Sequence, residues 1–499
     1  MQKRILGIIL TLGLAAGVPL PTQGATTFKN CAELRKVHKF GVSSKSQSRN
    51  AGAGPIEKPK FDASTYNRNK RLDSDKDGIA CEVLKKLPAK NPVQAPAAPV
   101  DPESGWVETT NFSEPQRCQI LDAREPKRQP NNVGFPLRED LVPSKGVANL
   151  IVIPVDFSDK PAGALPSDYL RQQMEEMNRW YQHFSGGKLS LRYQIADKWV
   201  RAPKPDSAYV VPKNQANTPG AAQAVQFELA QDAINAAGTS LDFSDAHGVF
   251  LYMPTVQSVD YDMGLRGSSL RTPAGQKSLF LWGGGAYHFD DRNVSSTSKR
   301  EKMWAFWIHE MLHSQDQALH APGNGFSSGL GQNQYGTSLT LSTWELFRFG
   351  WIDARVKCLD SATLTSASAV LRPLELGADS MSAVILRVNQ YEVLVIESRR
   401  SIGYSKEWDG RGGALIYRVD TRLDNDRSGE ASGDTGNSVE FSKWGFYIAP
   451  LGRDISGERA KNIHNYLFGA GDSVTTSGVK VSVKSSSPTG DWISIERAG

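Results

Sequence analysis

The sequence predicts a mixed α/β domain built around one buried helix, with a small module before it and a β-rich, sandwich-like domain after it. Apolar runs with strand and helix spacing alternate from residue 146 onward, and short β-type runs follow Cys358. A cysteine-bounded, Asp-rich segment precedes a stretch rich in Pro and Ala. We expect a signal peptide at residues 1–25, the module at 26–84, a linker at 85–105, the α/β domain at 106–357 and the β-rich domain at 358–499.

The N-terminus has the pattern of a secretory signal peptide. Lys3 and Arg4 precede the apolar run from Ile5 to Val18, and small residues follow up to Ala25. The run is shorter than the roughly 20 residues that a membrane-spanning helix needs. We therefore expect a secreted protein with no transmembrane anchor after cleavage. The net formal charge is only +5 and the basic residues are scattered, which predicts no nucleic-acid partner.

The four cysteines are Cys31, Cys81, Cys118 and Cys358, and an even number in an exported chain is typical of disulfides. The sequence alone allows more than one pairing. The predicted domain limits favour Cys31–Cys81 and Cys118–Cys358. An alternative is that Cys118 caps a metal ion as a latency switch.

Alternating strand and helix patterns form the α/β region. Ala148 to Phe157 is a continuous apolar run, which is consistent with a buried strand, and Asp168 to His183 has helical spacing that stops at SGG. Further strands are predicted at Lys188 to Ile195 and His247 to Met253, with a helix at Ala221 to Ala236 between them. Ser298 and Glu301 then have the capping-box spacing at the start of a helix, EKMWAFWIHEMLHSQDQ, that is apolar on most sides and should be buried.

The region after Cys358 is predicted to consist of short strands. The β-type runs are Met381 to Val388, Tyr391 to Ser398, Ala414 to Asp420, Val479 to Lys484 and Trp492 to Arg497.

The buried helix carries an H-E-x-x-H motif, His309-Glu310-Met311-Leu312-His313. Residues four apart share one helix face, so both imidazoles can point at one zinc ion. Glu310 follows the first histidine, where it can act as the general base for a zinc-bound water. Burying two imidazoles and a carboxylate without a metal ion would be costly. The motif therefore predicts a zinc site with Glu310 as the catalytic residue.

The third protein ligand of such a zinc ion has three candidates. His320 stands just before the helix-breaking run APGNG, so a returning loop could bring its imidazole to the metal, and we favour it. Glu345 opens the predicted helix STWELFRFG and is the alternative, since a Glu on a second helix also completes zinc sites. Asp316 is expected to continue the same helix as His313, with a side chain too short to reach the focus of the two imidazoles.

The segments around the motif resemble the immune inhibitor A type of secreted metallopeptidases. The resemblance spans residues ~118–499, and its matching segments are IPVDFSD, FSGGKLSL, LDFSDAHGVFLYMP, HEMLH, STWELFRFGWI, EVLVIESRRSIGY and GALIYRVDT. It implies a zincin-like fold and a secreted endopeptidase that cleaves protein or peptide substrates by zinc-hydroxide attack. Two positions depart from the family pattern. Asp316 stands where a Gly usually follows the motif, and no Met lies between Leu312 and Met381.

The N-terminal module contains the pattern D-x-D-x-D-G, formed by Asp73, Asp75, Asp77 and Gly78. Oxygen ligands at alternate positions and a Gly at the sharp turn are typical of calcium loops. The carbonyl of Ile79 and the side chain of Glu82 are candidates to complete the shell. Glu82 falls closer to the first Asp than in an EF-hand, so the loop is not a standard EF-hand. A solvated acidic turn is the alternative interpretation.

DSDKDGIACE, together with FKNCAEL near the start of the module, resembles the small extracellular excalibur calcium-binding module. The resemblance covers residues 26–84 and implies Ca²⁺ binding there. A cell-wall or surface polymer is a candidate partner of the module.

Two function classes fit these patterns. The favoured one is a secreted zinc-dependent endopeptidase, with Zn²⁺ at the motif and Ca²⁺ in the module. The alternative is a non-catalytic extracellular or cell-wall binding protein with structural zinc and a calcium-dependent attachment module. Glu310 favours the enzyme, because a purely structural zinc site has no use for a carboxylate beside it.

Overall fold

The computed structural model describes residues 26–44, 59–73, 76, 78–81, 102–123, 133–137, 142–211, 220–253, 265–285, 303–316, 340–405, 412–422, 449–450 and 466–499. The chain divides into two compact units, Met1–Val100 and Asp101–Gly499. None of the helices in these ranges is long and apolar enough to cross a membrane.

The N-terminal unit is a small α/β module closed by a disulfide. Its elements are α1 (Cys31–Val37), β1 (Val42–Ser43), β2 (Lys60–Phe61), α2 (Ala63–Asn69) and β3 (Ile79–Ala80). Strand β1 lies between β2, which is parallel to it, and β3, which is antiparallel. The Asn30 and Asp62 side chains cap the two helices. The buried core of this unit is small and can stabilise the fold only modestly. The Cys31–Cys81 disulfide adds stability because it restricts the unfolded chain.

The second unit begins with a mixed α/β region. Its elements are β4 (Gly146–Asp156), α3 (Ser167–Ser185), β5 (Leu189–Ile195), β6 (Val200–Arg201), α4 (Ala221–Ala237), β7 (Gly248–Met253), β8 (Leu265–Thr272), β9 (Gly275–Gly285), α5 (Met303–Ser314) and α6 (Thr343–Arg348). The sheet has the order β5-β4-β7-β9-β8, and β6 also pairs with β4. Neighbouring strands are parallel except for β8, which runs antiparallel at the edge.

Helices cover both faces of this sheet. Ile151 and Ile153 of β4 belong to a core shared with α4 on one face. Leu150 and Val152 belong to the core that contains α3 and α5 on the other face. Side chains alternate between the faces of a strand, so burial on both sides explains why β4 is apolar without interruption.

The rest of the second unit is β-rich, as the sequence predicts. Its strands are β10 (Val356–Asp360), β11 (Ser366–Leu371), β12 (Ala383–Arg387), β13 (Glu392–Arg399), β14 (Gly413–Asp420), β15 (Ala449–Pro450), β16 (Ser473–Thr476), β17 (Val479–Ser487) and β18 (Gly490–Arg497). They form one sheet in the order β10-β12-β13-β14-β15 and a second in the order β11-β18-β17-β16.

The larger of these two sheets is buried on both faces. Val384 and Leu386 of β12 share a core with β17 and β18 of the smaller sheet, which gives a sandwich. Ala383 and Ile385, on the opposite side of β12, share the core of α3, α5 and α6. The predicted limit between residues 357 and 358 therefore falls inside β10, in a unit whose two parts have a common core.

The second disulfide joins Cys118, at the end of a 3₁₀ turn, to Cys358 in β10. Both disulfides follow the pairing that the predicted domain limits favour, and both fit a protein of an oxidising compartment. The alternative role of Cys118 as a metal-capping latency switch is wrong in this structure, because its sulfur is bonded to Cys358.

Candidate metal centres

The first candidate centre is the acidic loop of the N-terminal unit. Asp73 follows the 3₁₀ turn Lys70–Leu72 that continues α2, and it is only 6% exposed. Its Oδ2 accepts hydrogen bonds from the Tyr66 hydroxyl at 2.6 Å and from the Gly78 N–H at 3.1 Å. Its Oδ1 is buried and has no hydrogen-bond partner among the described atoms. A buried carboxylate oxygen without a partner is costly, so Asp73 fits a calcium ligand well.

The backbone of the loop turns sharply after Asp73. Lys76 and Gly78 have positive φ angles of 60° and 91°, which brings the Gly78 N–H back to Asp73. The side chain of Ile79 is buried in β3, so only its carbonyl could serve as a ligand. The other predicted calcium ligands, Asp75, Asp77 and Glu82, lie outside the described residues.

We expect calcium to raise the melting temperature of the transition that involves the N-terminal unit, and Asp73→Asn to remove most of that shift. A ligand that binds only the folded state stabilises it, by about 2.7 kcal/mol at a hundredfold excess over its Kd. The measurement is calorimetry of the whole chain with and without calcium. Asp62→Asn is the matched control, since Asp62 caps α2 through the Thr65 N–H and should lower stability without changing the calcium shift. An unchanged shift in Asp73→Asn would favour the solvated acidic turn.

The second candidate centre lies on α5. The apolar residues of this helix are all 6% exposed or less: Met303, Trp304, Ala305, Phe306, Trp307, Ile308, Met311 and Leu312. At its start, the Trp304 N–H donates to the buried Gln173 side chain of α3 at 3.0 Å. The predicted capping pair, Ser298 and Glu301, lies outside the described residues. Because α5 is continuous from Met303 to Ser314, His309 and His313 stand about one turn apart on one side of it.

His309 and Glu310 are buried next to each other. They are 2% and 5% exposed, and His309 Nε2 lies 3.9 Å from Glu310 Oε1. The Phe306 ring stacks on the His309 imidazole, with centroids 6.2 Å apart. An imidazole nitrogen is a usual zinc ligand, so this pair fits one ligand and one neighbouring base.

The remaining predicted ligands are not brought together in the part of the chain that is described. The His313 side chain and the whole of His320 lie outside the described residues. Within those ranges, no three His, Cys, Asp or Glu side chains form a group that could hold a metal ion. The zinc site therefore stays a prediction that rests on the motif and on the buried pair.

Asp316 does not continue the helix, and that expectation is wrong. Helix α5 ends at Ser314, and Asp316 has φ +62°, in the left-handed region where helices commonly end. Asp316 thus adopts a backbone conformation that a Gly would adopt without strain. Arg348 Nη2 donates to the Asp316 carbonyl at 2.9 Å and to its carboxylate at 3.2 Å, and both side chains are fully buried. The carboxylate is bound to a guanidinium, so a role as a zinc ligand would have to compete with this ion pair.

Glu345 takes part in a capping box at the start of α6. Its Oε2 accepts hydrogen bonds from the Ser342 N–H at 2.8 Å and the Ser342 hydroxyl at 3.0 Å, and the Ser342 hydroxyl in turn caps the Glu345 N–H. The side chain is fully buried. These contacts give Glu345 a structural role, so its proposed role as the alternative zinc ligand would have to compete with the cap.

Two residues that the sequence analysis missed fix α6 in place. Glu397 Oε2 accepts hydrogen bonds from the Thr343 N–H at 2.8 Å and the Tyr417 hydroxyl at 3.0 Å. Burial raises the pKa of Glu397, and the nearby Arg399 guanidinium opposes that shift. At the other end of α6, Arg348 holds Asp316. The signal for both was a charged residue directly after apolar ones, VLVI before Glu397 and LF before Arg348.

Comparison with known proteins finds matches of different extent. The Excalibur calcium-binding domain matches residues 28–82. The uncharacterized protein YhjA of Bacillus subtilis (strain 168) is 38% identical over 88 residues, which is 16% of this chain and 99% of that protein. Among solved structures, catalytically inactive OgpA from Akkermansia muciniphila, in complex with an O-glycopeptide (glycodrosocin) substrate, is 14% identical and aligns over 56% of this chain and 85% of its own, with a TM-score of 0.21.

These findings bear on the module and not on the second unit. A TM-score of 0.21 carries no argument about the fold, and the immune inhibitor A resemblance stays a prediction. The domain match and the Cys31–Cys81 disulfide confirm the predicted calcium-binding module. Through residues 28–82, the chain belongs to the family of proteins with an Excalibur calcium-binding domain.

Proposed function

We propose that the chain is a secreted zinc-dependent endopeptidase whose active site lies on α5. The observation that carries this proposal is the burial of His309 and Glu310 side by side, in an H-E-x-x-H motif on one continuous helix. Burying an imidazole and a carboxylate on a helix that is mostly apolar costs free energy. Such a cost is typical of functional sites, where local stability gives way to chemistry.

In this proposal His309 and His313 hold the zinc ion, with His320 as the favoured third ligand and Glu345 as the alternative. Bound zinc would polarise the scissile carbonyl and lower the pKa of a bound water. Glu310 accepts the proton of the attacking water on a carboxylate oxygen and later donates it to the leaving amine. The apolar surroundings of α5 strengthen these electrostatic interactions, because little water screens them. The Phe306 ring lies nearly parallel to the His309 ring and forms part of its apolar surroundings.

The test is digestion of an unfolded casein-type substrate by the whole chain, with calcium present throughout. We expect a chelator that prefers zinc to calcium to stop cleavage, and added zinc to restore it. Absence of cleavage with zinc bound would instead support the non-catalytic alternative. The observation that favours that alternative is the Excalibur domain, which gives the chain a calcium-binding module whatever the second unit does.

For the third ligand, we expect His320→Ala to lose bound zinc and Glu345→Gln to keep it. The Gln side chain retains an oxygen that can accept from Ser342, so the capping box survives and a change in zinc content would report ligation alone. The measurement is zinc per folded chain by elemental analysis. Glu345→Ala serves as a comparison, because it removes the hydrogen bonds that the Glu345 side chain accepts from Ser342, at about 0.5–1.5 kcal/mol each, while the Ser342 hydroxyl can still accept from the backbone N–H of residue 345. Full zinc in His320→Ala with loss in Glu345→Gln would reverse the ranking.

A further inference from the structure

The start of α6 is held by two side chains of the larger sheet in the β-rich part. Glu397 of β13 accepts a hydrogen bond from the Thr343 N–H at 2.8 Å, and the Tyr417 hydroxyl of β14 accepts one from the Trp344 N–H at 3.2 Å. The Tyr417 hydroxyl donates in turn to Glu397 Oε2 at 3.0 Å. The first N–H groups of a helix have no acceptor within the helix. Glu397 and Tyr417 therefore satisfy donors that α6 itself cannot satisfy.

Glu397 is also bound on its other oxygen. Its Oε1 accepts a hydrogen bond from Arg399 Nη1 at 3.2 Å, and Arg399 Nε donates to Glu375 Oε1 at 2.8 Å. All three side chains are fully buried. A charge in the protein interior is costly unless it is paired and hydrogen-bonded, so these contacts restrict where the Glu397 carboxylate can lie. The larger sheet therefore sets the position of the start of α6.

The last residue of α6 reaches the end of α5. Arg348 donates to the Asp316 carbonyl and carboxylate, and Asp316 follows His313 by three residues. Helix α6 has six residues and is about 9 Å long, so a shift of its start is carried to Arg348 unless the helix deforms. Gln315 is held separately by the Tyr181 hydroxyl of α3 at 3.1 Å. Loss of the α6 contact should therefore loosen the turn at Asp316 without unfolding α5.

We propose that Glu397 is a positioning residue of the zinc site: it fixes the start of α6, and Arg348 at the other end of α6 fixes the turn that follows α5. The inference rests on the proposed function, since it concerns a zinc ion held by His309 and His313. Residues that orient metal ligands without touching the metal affect its affinity and geometry. The β-rich part of the second unit thereby contributes to the site and is more than a neighbouring domain.

Glu375 provides a matched control for Glu397. Both are fully buried carboxylates that bind the same Arg399 guanidinium. The Glu375 side chain accepts its other hydrogen bond from the Arg400 N–H at 3.0 Å, whereas Glu397 accepts its own from α6. Removing either carboxylate leaves Arg399 with one fewer partner, so both changes should lower overall stability to a similar extent. Only the change at Glu397 should reach the end of α5.

The test compares the whole chain with Glu397→Ala and Glu375→Ala, with calcium present. Hydrogen exchange is measured in peptides that contain the end of α5 and the start of α6. In Glu397→Ala we expect exchange there to be faster on the order of tenfold, the factor expected for the loss of about one hydrogen bond. We expect Glu375→Ala to exchange like the unchanged chain in these peptides.

Metal binding is the second measurement. Zinc affinity is determined by competition with a chelator, and we expect Glu397→Ala to bind zinc roughly 10–100-fold more weakly. Cobalt(II) replaces zinc in parallel, because its visible absorption reports the geometry around the metal ion. The spectrum should change in Glu397→Ala and stay unchanged in Glu375→Ala. A loss of stability alone would not separate the two variants in this way.

Tyr417→Phe is the milder variant and serves if Glu397→Ala does not fold. It keeps the ring and removes the hydroxyl that joins the Trp344 N–H to Glu397, so the same changes should appear with smaller size. The inference is overturned if exchange at the end of α5 and zinc affinity stay unchanged in these variants, or if Glu375→Ala reproduces the changes. Failure of the proposed function gives a different result, because the unchanged chain then binds no zinc. Hydrogen exchange alone then decides whether Glu397 positions the turn.

Discussion

Replacing Glu310 with Gln or Ala is expected to abolish peptide-bond hydrolysis while bound zinc and the fold remain. Glu310 is the proposed base and acid of the reaction and not a zinc ligand, so its loss removes proton transfer without removing the metal. Proton transfer by one positioned side chain is worth roughly 10²–10⁴-fold in rate. Because the same carboxylate serves two steps here, we expect the upper end of that range. The measurements are kcat/KM on a peptide substrate and zinc per chain.

The stability of the Glu310 variants separates a catalytic role from a structural one. Glu310 is only 5% exposed, and burying a neutral Gln of the same shape costs less than burying a carboxylate, so Glu310→Gln should not lower the melting temperature. A structural carboxylate would instead lose stability on neutralisation. Glu175→Gln, a change of an exposed carboxylate on α3, is the control and should leave activity and stability unchanged. Full activity in Glu310→Gln would refute the proposed mechanism.

Elements with a strong local pattern could be predicted from the sequence. Strand β4 and helix α3 follow their predicted limits within a few residues, because apolar periodicity records burial directly. The hairpin of β8 and β9 was missed. Its last residues, Gly283–Gly285, have no strand pattern of their own, yet they pair in parallel with Leu251–Met253 of β7. Glycine has a low propensity for strands, and here pairing with the central strand β7 overrides that low propensity.

In the candidate site, too, the features that depend on local spacing could be predicted and those that depend on distant contacts could not. His309, Glu310 and His313 could be identified because their spacing is a property of one helix. The end of that helix could not be predicted, because Asp316 is bound by Arg348, 32 residues further along the chain. Helix α6 is likewise fixed through Glu397, 54 residues beyond Thr343. Contacts at such separations leave no periodic signal in a single sequence.

Arg348→Ala is expected to destabilise the second unit by about 3–5 kcal/mol, the cost of leaving one buried charge without its partner. The variant removes both of these hydrogen bonds to Asp316, whose carboxylate is fully buried. Arg171→Ala is the control. Its pair with Asp168 on the surface of α3 is exposed on both sides, so that substitution should cost only about 0–1 kcal/mol. The measurement is denaturant unfolding of the whole chain.

The pair Arg348→Met with Asp316→Gly tests why the ion pair is present. Glycine adopts the φ of +62° without strain, and Met fills much of the space of the Arg stem without a charge. We therefore expect the double variant to recover most of the stability that Arg348→Ala loses, apart from the hydrogen bond that Arg348 Nε makes to the Gly134 carbonyl at 3.2 Å. A double-mutant cycle gives the coupling free energy between the two positions. If the double variant is as unstable as Arg348→Ala, Arg348 acts through contacts other than Asp316, and the turn after α5 does not depend on their pairing.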